Sequence, residues 1–153
     1  MIEKRVRPEK NGGDGVELLI LSAVTNLSDH ILAARNELLS IWGMTVLQHN
    51  ALQVLYEKDK ENIGLSSREI GQGLNTRVPD VTRLLDRLAD KGWVIRERDL
   101  ENRRVVRTRL TKIGKELVES VANPIKELQI ELLKHLSKQE REDLAGLLVK
   151  ASL

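Results

Sequence analysis

Cysteine is absent from this chain and aromatic residues are scarce. There is no phenylalanine, and the aromatic residues are Trp42, Trp93 and Tyr56. Without cysteine there is no disulfide framework, cysteine-based metal site, thiol nucleophile or cysteine redox switch. With so few aromatic side chains, the core must be built mainly from Leu, Ile, Val and Ala, and this composition favours helices.

Sequence signatures of catalysis and of metal or cofactor binding are also missing. The three histidines, His30, His49 and His135, are scattered, and no two of them lie at metal-ligand spacing on one helix. There is no HExxH motif, no glycine-rich phosphate loop and no Ser/His/Asp signature. We therefore expect no enzyme, no metal site and no cofactor.

Signals for secretion and for membrane insertion are not evident. The amino-terminal residues lack the basic and then apolar pattern of a signal peptide, and no apolar run approaches the roughly 18 residues of a membrane helix. At 153 residues, the chain is most economically one compact domain. We expect a cytoplasmic protein without membrane contact.

Arginine is concentrated in the middle of the chain. Nine of the 14 arginines, but one of the 11 lysines, lie within residues 77–109. This segment holds 10 basic and 6 acidic residues, whereas residues 1–76 hold 8 basic and 10 acidic residues. A charged segment is usually a solvated face, so its meaning depends on the pattern around it.

The first part of the chain reads as a tail followed by two helices. Residues 1–15 are charged and contain three glycines, which predicts a flexible tail. Residues 16–42 predict a long helix with an apolar stripe wider than half its circumference. Gly43 suits the left-handed residue that closes a helix, and a capping box at residues 45–48 opens a second helix over roughly 45–59.

The carboxyl-terminal part predicts two more helices. The first should run from about Lys112 to His135, with Pro124 kinking it or splitting it in two. A capping box formed by Ser137 and Glu140 then opens a last helix.

Residues 66–92 have the pattern of a helix-turn-helix. Ser66 and Glu69 form a capping box for a short helix over about 67–73. A second helix has Pro79 in its first turn and ends at Lys91 and Gly92. Its inward stripe is formed by Val81, Leu84, Leu85 and Leu88, and its outward face carries Thr82, Arg83, Asp86 and Arg87. A short helix followed by a basic, exposed one is typical of this motif.

The next segment alternates with the period of a strand. Residues 93–98 and 104–110 predict a two-stranded hairpin with the polar tip "DLENRR". A hairpin that follows a recognition helix is a wing, and it lies where it can reach the neighbouring groove of DNA.

Four stretches together resemble the MarR family of bacterial winged helix-turn-helix regulators. They read "GLSSREIGQGL", "VTRLLDRLADKGWVIRERD", "NRRVVRTRLTKIGKEL" and "LSKQEREDLAGLL", and the resemblance covers about residues 16–151. The wing of that family usually has Asp-Arg-Arg before its second strand, whereas this chain has Asn102, Arg103 and Arg104. Glu101 or Asp99 is the candidate for supplying the missing carboxylate.

The resemblance implies a mainly α fold with a small β-hairpin wing. Residues 45–110 would form the winged helix-turn-helix, and residues 16–44 and 111–153 a helical dimerisation region. A homodimer of this kind reads a near-palindromic site in double-stranded DNA. The wide apolar stripe of the first helix favours such a dimer, and the alternative is an ordinary intramolecular helical core.

We predict that DNA is contacted from the second helix of the helix-turn-helix and from the wing. The predicted contact residues are Arg77, Thr82, Arg83, Arg87, Arg103 and Arg104. An arginine can bind guanine O6 and N7 together, or enter a narrow minor groove, better than a lysine does. Arg104 matches the second wing arginine of the family.

For the other arginines in this segment, the sequence does not decide between an internal ion pair and a contact with DNA. Internal ion pairs with nearby acidic residues would explain Arg87, Arg96 and Arg98 as well as DNA contact does. For Arg107 and Arg109, structural pairing and phosphate contact are both expected alternatives.

The resemblance further implies a repressor that is released by a small aromatic or phenolic effector. His30, Arg35 and His49 lie on the helices that should line the effector crevice. Residues of these types at such positions are more often surface or satisfied core residues than ligand contacts. The alternative function is a winged-helix module that binds another protein without specific DNA binding.

Overall fold

The computed structural model describes residues 15–74, 80–99 and 102–152. These residues form six helices and a small antiparallel sheet, in agreement with the predicted mainly α fold class. The elements are α1 (Gly15–Ser40), α2 (Val46–Lys58), β1 (Leu65–Ser66), α3 (Ser67–Gly73), α4 (Val81–Asp90), β2 (Val94–Arg98), β3 (Val106–Leu110), α5 (Lys112–Leu132) and α6 (Lys138–Ala151). The predicted tail up to residue 14, Arg77, Pro79 and Glu101 lie outside the described residues.

Side-chain caps fix the beginnings of the helices at the predicted places. The Thr45 hydroxyl accepts the Gln48 N–H at 3.2 Å, while the Gln48 side chain accepts the Thr45 N–H at 3.1 Å. Capping boxes of the same kind open α3 at Ser66 and α6 at Ser137. Gly43 ends the turn after α1 with φ +62°, a conformation that favours glycine.

The helix-turn-helix consists of α3 and α4. α4 begins at Val81 with Asp80 as its capping residue, so the prediction that Pro79 lies in its first turn is wrong. Asp80 caps α4 by accepting the Arg83 N–H at 2.9 Å, and Gly92, with φ +70°, follows its end. Leu84, Leu85 and Leu88 are buried, so α4 packs with its apolar stripe inward and leaves its polar face in solvent.

The sheet has the strand order β1-β3-β2. β2 and β3 form the predicted hairpin, with Val94 opposite Leu110 and Arg98 opposite Val106. β1 pairs with the other edge of β3, with Leu65 opposite Thr108. This third strand was not predicted, because two residues are too few to show a strand period.

α5 continues through Pro124, so of the two predicted outcomes, a kink or a split into two helices, the split does not occur. A proline inside a helix removes one hydrogen bond, and packing on both sides of it can hold the helix together. Val121 and Ile125 are buried on either side of Pro124 and supply that packing. The helix ends at Leu132, three residues before the predicted end at His135.

The hydrophobic core lies around α2, between α1, α4 and α5. Its fully buried members include Leu39, Leu52, Leu55, Ile70, Leu85, Leu88 and Val121. Most of α1 and all of α6 contribute nothing to it: α1 has one buried residue, Leu39, and α6 has none. The chain therefore folds around the helix-turn-helix, and most of α1 and the whole of α6 lie outside the buried core.

α1 is also long and apolar enough to cross a membrane, by length and composition alone. An 18-residue window within Gly15–Ser40 has a mean hydropathy of 1.3. The expectation that no segment approaches this length is therefore corrected. Scattered polar residues such as Ser22, Thr25 and Ser28 interrupt the apolar run but leave its average high.

Candidate nucleic-acid interface

The exposed face of α4 carries three of the predicted DNA-contacting residues. Thr82, Arg83 and Arg87 are exposed on this helix, on the side away from the core. Within the described part of the chain, neither arginine forms an ion pair. No large apolar side chain is exposed on α4, and such a side chain would mark a protein-binding helix. This face therefore suits an anionic partner.

The fourth outward residue of α4 is held by the wing. Asp86 Oδ1 accepts a hydrogen bond from Nη1 of Arg96, which lies on β2. The side chain of Arg96 is 15% exposed and that of Asp86 is 56% exposed. This ion pair connects the recognition helix to the first strand of the hairpin.

The tip of the wing is braced by one carboxylate and one amide. Asp99 Oδ1 accepts the Asn102 N–H at 2.9 Å, and Asn102 Oδ1 accepts the Arg104 N–H at 3.2 Å. The Val105 N–H donates to the Asn102 carbonyl oxygen at 2.8 Å and closes the turn. The other carboxylate oxygen of Asp99 accepts a hydrogen bond from Nε of Arg107. Asp99 thus supplies the carboxylate that Asn102 lacks.

Arg107 connects the wing with the loop before the helix-turn-helix. Its Nη1 donates to the Gly64 carbonyl oxygen at 3.0 Å. The hydrogen bond that Arg107 donates to Asp99 is the main cause that raises the pKa of Arg107, and the nearby carboxylates of Glu69 and Asp59 add to it, against the effect of burial. Asp59 in turn accepts the Gly64 N–H at 3.0 Å. Arg107 therefore has a structural role.

Arg109 also forms an internal ion pair. Its Nη2 donates to Glu97 Oε2 at 3.0 Å, across the hairpin and on the face opposite to Arg96. Of the arginines left open by the sequence, Arg96, Arg107 and Arg109 form internal ion pairs, while Arg87 and Arg98 form none among the described residues. Arg103 and Arg104 are exposed at the wing tip and their side chains are likewise unpaired there.

Two of the three candidate effector residues lie together between α1 and α2. Arg35 Nη2 donates to Asn50 Oδ1 at 2.9 Å and lies 3.5 Å from His49 Nδ1. Arg35 Nε is buried and has no hydrogen-bond partner among the described residues. Burial lowers the pKa of Arg35. Burial first, and then the positive charge of Arg35, lower the pKa of His49, against the opposing effect of its side-chain hydrogen bond with Asn50.

The third candidate effector residue is separate from this cluster. His30 is exposed on α1, and five residues of helix place it about 140° around the axis from Arg35. The structure therefore brings Arg35 and His49 together and leaves His30 in solvent.

A cavity of about 420 Å³ lies between the end of α2, the loop after it and the start of α5. Leu55 and Leu110 form apolar walls, and Lys60 and Lys115 line it with positive charge. The Tyr56 hydroxyl at its edge donates to Glu119 Oε1 at 3.1 Å, and this hydrogen bond raises the pKa of Tyr56. No sequence pattern marks this cavity, because three separate elements form its walls.

Comparison with known proteins agrees with this arrangement. A model of the MarR family matches residues 42–105. The transcriptional repressor MprA of Escherichia coli strain K12 is 27% identical over 128 residues, which are 84% of this chain and 72% of MprA. A MarR transcription factor from Planctomyces limnophilus is 30% identical, with a TM-score of 0.67 over 92% of this chain and 98% of its own. A mutant MarR from E. coli in complex with operator DNA is 27% identical, with a TM-score of 0.75 over 92% of this chain and 99% of its own.

The helix-turn-helix, the adjoining hairpin and the exposed arginines on both define a winged helix-turn-helix DNA-binding protein. The chain belongs to the MarR family of transcription regulators. That family is not enzymatic, in agreement with the expectation from the sequence. Repression that is released by an effector is typical of its members.

Proposed function

We propose that this chain is a cytoplasmic, homodimeric repressor that binds a near-palindromic site in double-stranded DNA and leaves it when a small anionic effector binds. The observation that carries the proposal is the division of the arginines into two groups. Arg96, Arg107 and Arg109 in the hairpin strands are neutralised by internal carboxylates, whereas the exposed arginines on α4, at the end of β2 and at the wing tip form no ion pair among the described residues. Unpaired, exposed guanidinium groups along two adjacent elements form an electrostatic footprint for DNA.

The recognition helix would read base edges in the major groove. Thr82 and Arg83 lie in its first turn, the part of such a helix that contacts bases, and Arg87 lies one turn later. An arginine fork there can take guanine O6 and N7 together. Arg77, just before the helix, remains a proposed contact on the sequence alone.

The wing would reach the adjacent minor groove. Arg103 and Arg104 are exposed at its tip, and the hydrogen bond from the Arg104 N–H to Asn102 fixes the backbone there. A narrow minor groove has an enhanced negative potential that attracts arginine. Arg98 is exposed at the end of β2 and would contact a phosphate between the two grooves.

The terminal helices would form the dimer interface. Val16, Leu18, Ile20 and Leu21 on α1 are each more than half exposed, as are Leu147 and Val149 on α6. Apolar surface of this extent is rare on monomers and marks an interface. A second copy is the proposed cover, since two matching structures that extend over 92% of this chain are those of a MarR transcription factor and of a MarR bound to operator DNA. Two-fold symmetry would then place two recognition helices about 10 base pairs apart.

The proposed effector site is the Arg35 cluster between α1 and α2. A half-buried guanidinium that contacts an amide and an imidazole, but no carboxylate among the described residues, leaves a positive charge for an anion. Burial and the charge of Arg35 lower the pKa of His49, so the positive charge of this cluster is that of the Arg35 guanidinium. A small aromatic or phenolic anion bound there would separate α1 from α2, and it must prefer the state that cannot bind DNA.

The proposal is tested by a binding titration with DNA from immediately upstream of the protein's own gene. A scrambled duplex of equal length is the control, and each titration is run at two salt concentrations. We expect preference for the native duplex by about a thousandfold and a steep loss of affinity with salt. Equal, weak binding to both duplexes would contradict specific recognition of that region. Screening aromatic carboxylates and phenols for release of the bound duplex then tests the effector part.

A further inference from the structure

The ion pair between Asp86 and Arg96 joins an acidic side chain of the recognition helix α4 to the first strand of the wing, β2. We propose that Arg96 is a positioning residue that holds Asp86 and thereby keeps Arg83 free for DNA. This inference rests on the proposed function, because it assumes that α4 reads DNA. Neither residue of the pair needs to contact DNA itself.

The spacing along α4 shows why Asp86 needs a partner. Asp86 lies three residues after Arg83, and side chains at this spacing meet on a helix surface. A free Asp86 carboxylate would pair with the Arg83 guanidinium, and it would also repel the DNA phosphates. In the structure the carboxylate is turned instead to Arg96, and Arg83 has no ionic partner among the described residues.

Arg96 is suited to hold this carboxylate firmly. It lies on the central part of β2, opposite the fully buried Thr108 of β3. Its side chain is mostly buried and its Nε makes no hydrogen bond among the described residues, so Asp86 is the ionic partner of its guanidinium. Because the strand fixes Arg96, little conformational freedom is lost when the pair forms.

The hairpin contains a matched control. Arg109 and Glu97 also form an arginine–carboxylate pair across β2 and β3, but on the opposite face of the sheet. Loss of this second pair removes one positive charge from the same hairpin without releasing a carboxylate on α4. It therefore reports the effect of charge and of hairpin stability alone.

The experiment measures operator affinity and thermal unfolding for wild type and four variants. The variants are Arg96→Gln, Asp86→Asn, the double variant Arg96→Gln/Asp86→Asn, and Arg109→Gln. The operator is a duplex selected by the wild-type protein from a randomised pool. We expect Arg96→Gln to weaken operator binding about tenfold, and the double variant to return to within about twofold of wild type. Asp86→Asn and Arg109→Gln should each stay within about twofold of wild type.

Recovery in the double variant separates positioning from mere stability. If Arg96 only stabilises the fold, the double variant binds as weakly as Arg96→Gln, and the inference is overturned. Equal losses in Arg96→Gln and Arg109→Gln overturn it as well. If Arg96→Gln does not fold, Arg96→Lys replaces it, because a lysine holds the carboxylate less firmly; its loss should again be restored by Asp86→Asn. Failure of the wild type to select any duplex would refute the proposed function, and the inference with it.

Discussion

A Cβ atom on Gly114 would lie under 3.0 Å from the carbonyl oxygen of Trp93, closer than real Cβ atoms come. This close approach joins the first turn of α5 to the residue before β2. Thr111, the cap of α5, adds two hydrogen bonds at the same place. Its N–H donates to the Trp93 carbonyl oxygen at 3.1 Å, and its hydroxyl donates to the Gly92 carbonyl oxygen at 2.8 Å. The proposed dimerisation helix is thus anchored on the base of the wing.

Gly114→Ala should therefore destabilise the protein. The added methyl group meets backbone, which cannot move aside as a side chain can, and overpacking of this kind costs about 1–3 kcal/mol of unfolding free energy. Urea unfolding at fixed protein concentration measures the change. Gly146→Ala is the control, because nothing lies within 4 Å of its added methyl group and alanine is the better helix former by about 0.5–1 kcal/mol. Equal stability of the two variants would show that α5 can move away from Trp93.

Arg83→Gln and Arg104→Gln should abolish operator preference without unfolding the protein. Both side chains are exposed and unpaired among the described residues, so the unfolding free energy should change by no more than about 0.5 kcal/mol. Loss of a bidentate base contact should cost about 1–3 kcal/mol of binding free energy with the operator, and much less with a scrambled duplex. Lys126→Gln, at an exposed position on α5, controls for charge. Ready unfolding of either variant would assign that arginine a structural role.

The caps and the winged helix-turn-helix could be predicted because their signals are local. A capping box needs two residues three positions apart, and Ser66 with Glu69 satisfies it within the sequence. The two short hairpin strands alternate visibly for the same reason. The position of α6 relative to α1 could not be predicted in this way. The apolar residues of both helices remain exposed in the single chain, so packing within the chain does not fix where they lie.

The roles of the individual arginines could not be predicted from the sequence. Arg96 and Asp86 are ten residues apart, and Arg107 reaches the Gly64 oxygen 43 residues away. Pairs of this kind depend on how separate elements pack, and several acidic residues were equally near in sequence. The sequence therefore located the basic surface but not the division between structural and free guanidinium groups.

Arginine substitutions on α1 should break the proposed dimer. Leu18→Arg and Leu21→Arg replace side chains that are 69% and 66% exposed in the single chain, so they should not disturb its core. Light scattering should show the mass falling from twice 17.3 kDa to 17.3 kDa, and operator affinity should fall because two half-sites are no longer bound together. Glu61→Arg, in the exposed loop after α2, is the control. A monomeric wild type that sediments with lipid vesicles would instead favour α1 as a membrane helix.

The buried His49 should make stability depend on pH in a defined window. Burial and Arg35 lower its pKa in the folded state from the usual 6.5, so the unfolded chain binds the proton more readily. The contribution of His49 to stability is therefore fully present above about pH 6.5 and is lost progressively as the pH falls below that value. Urea unfolding between about pH 7.5 and 5.5 should show this loss in wild type, and His49→Gln should reduce it.

The carboxylates of Glu69 and Glu140, with pKa values lowered from 4.5, lose their contribution only at lower pH and do so in both proteins. His135→Gln, which removes an exposed imidazole, serves as the control, and a wild-type loss that His49→Gln leaves unchanged would place the titrating group elsewhere.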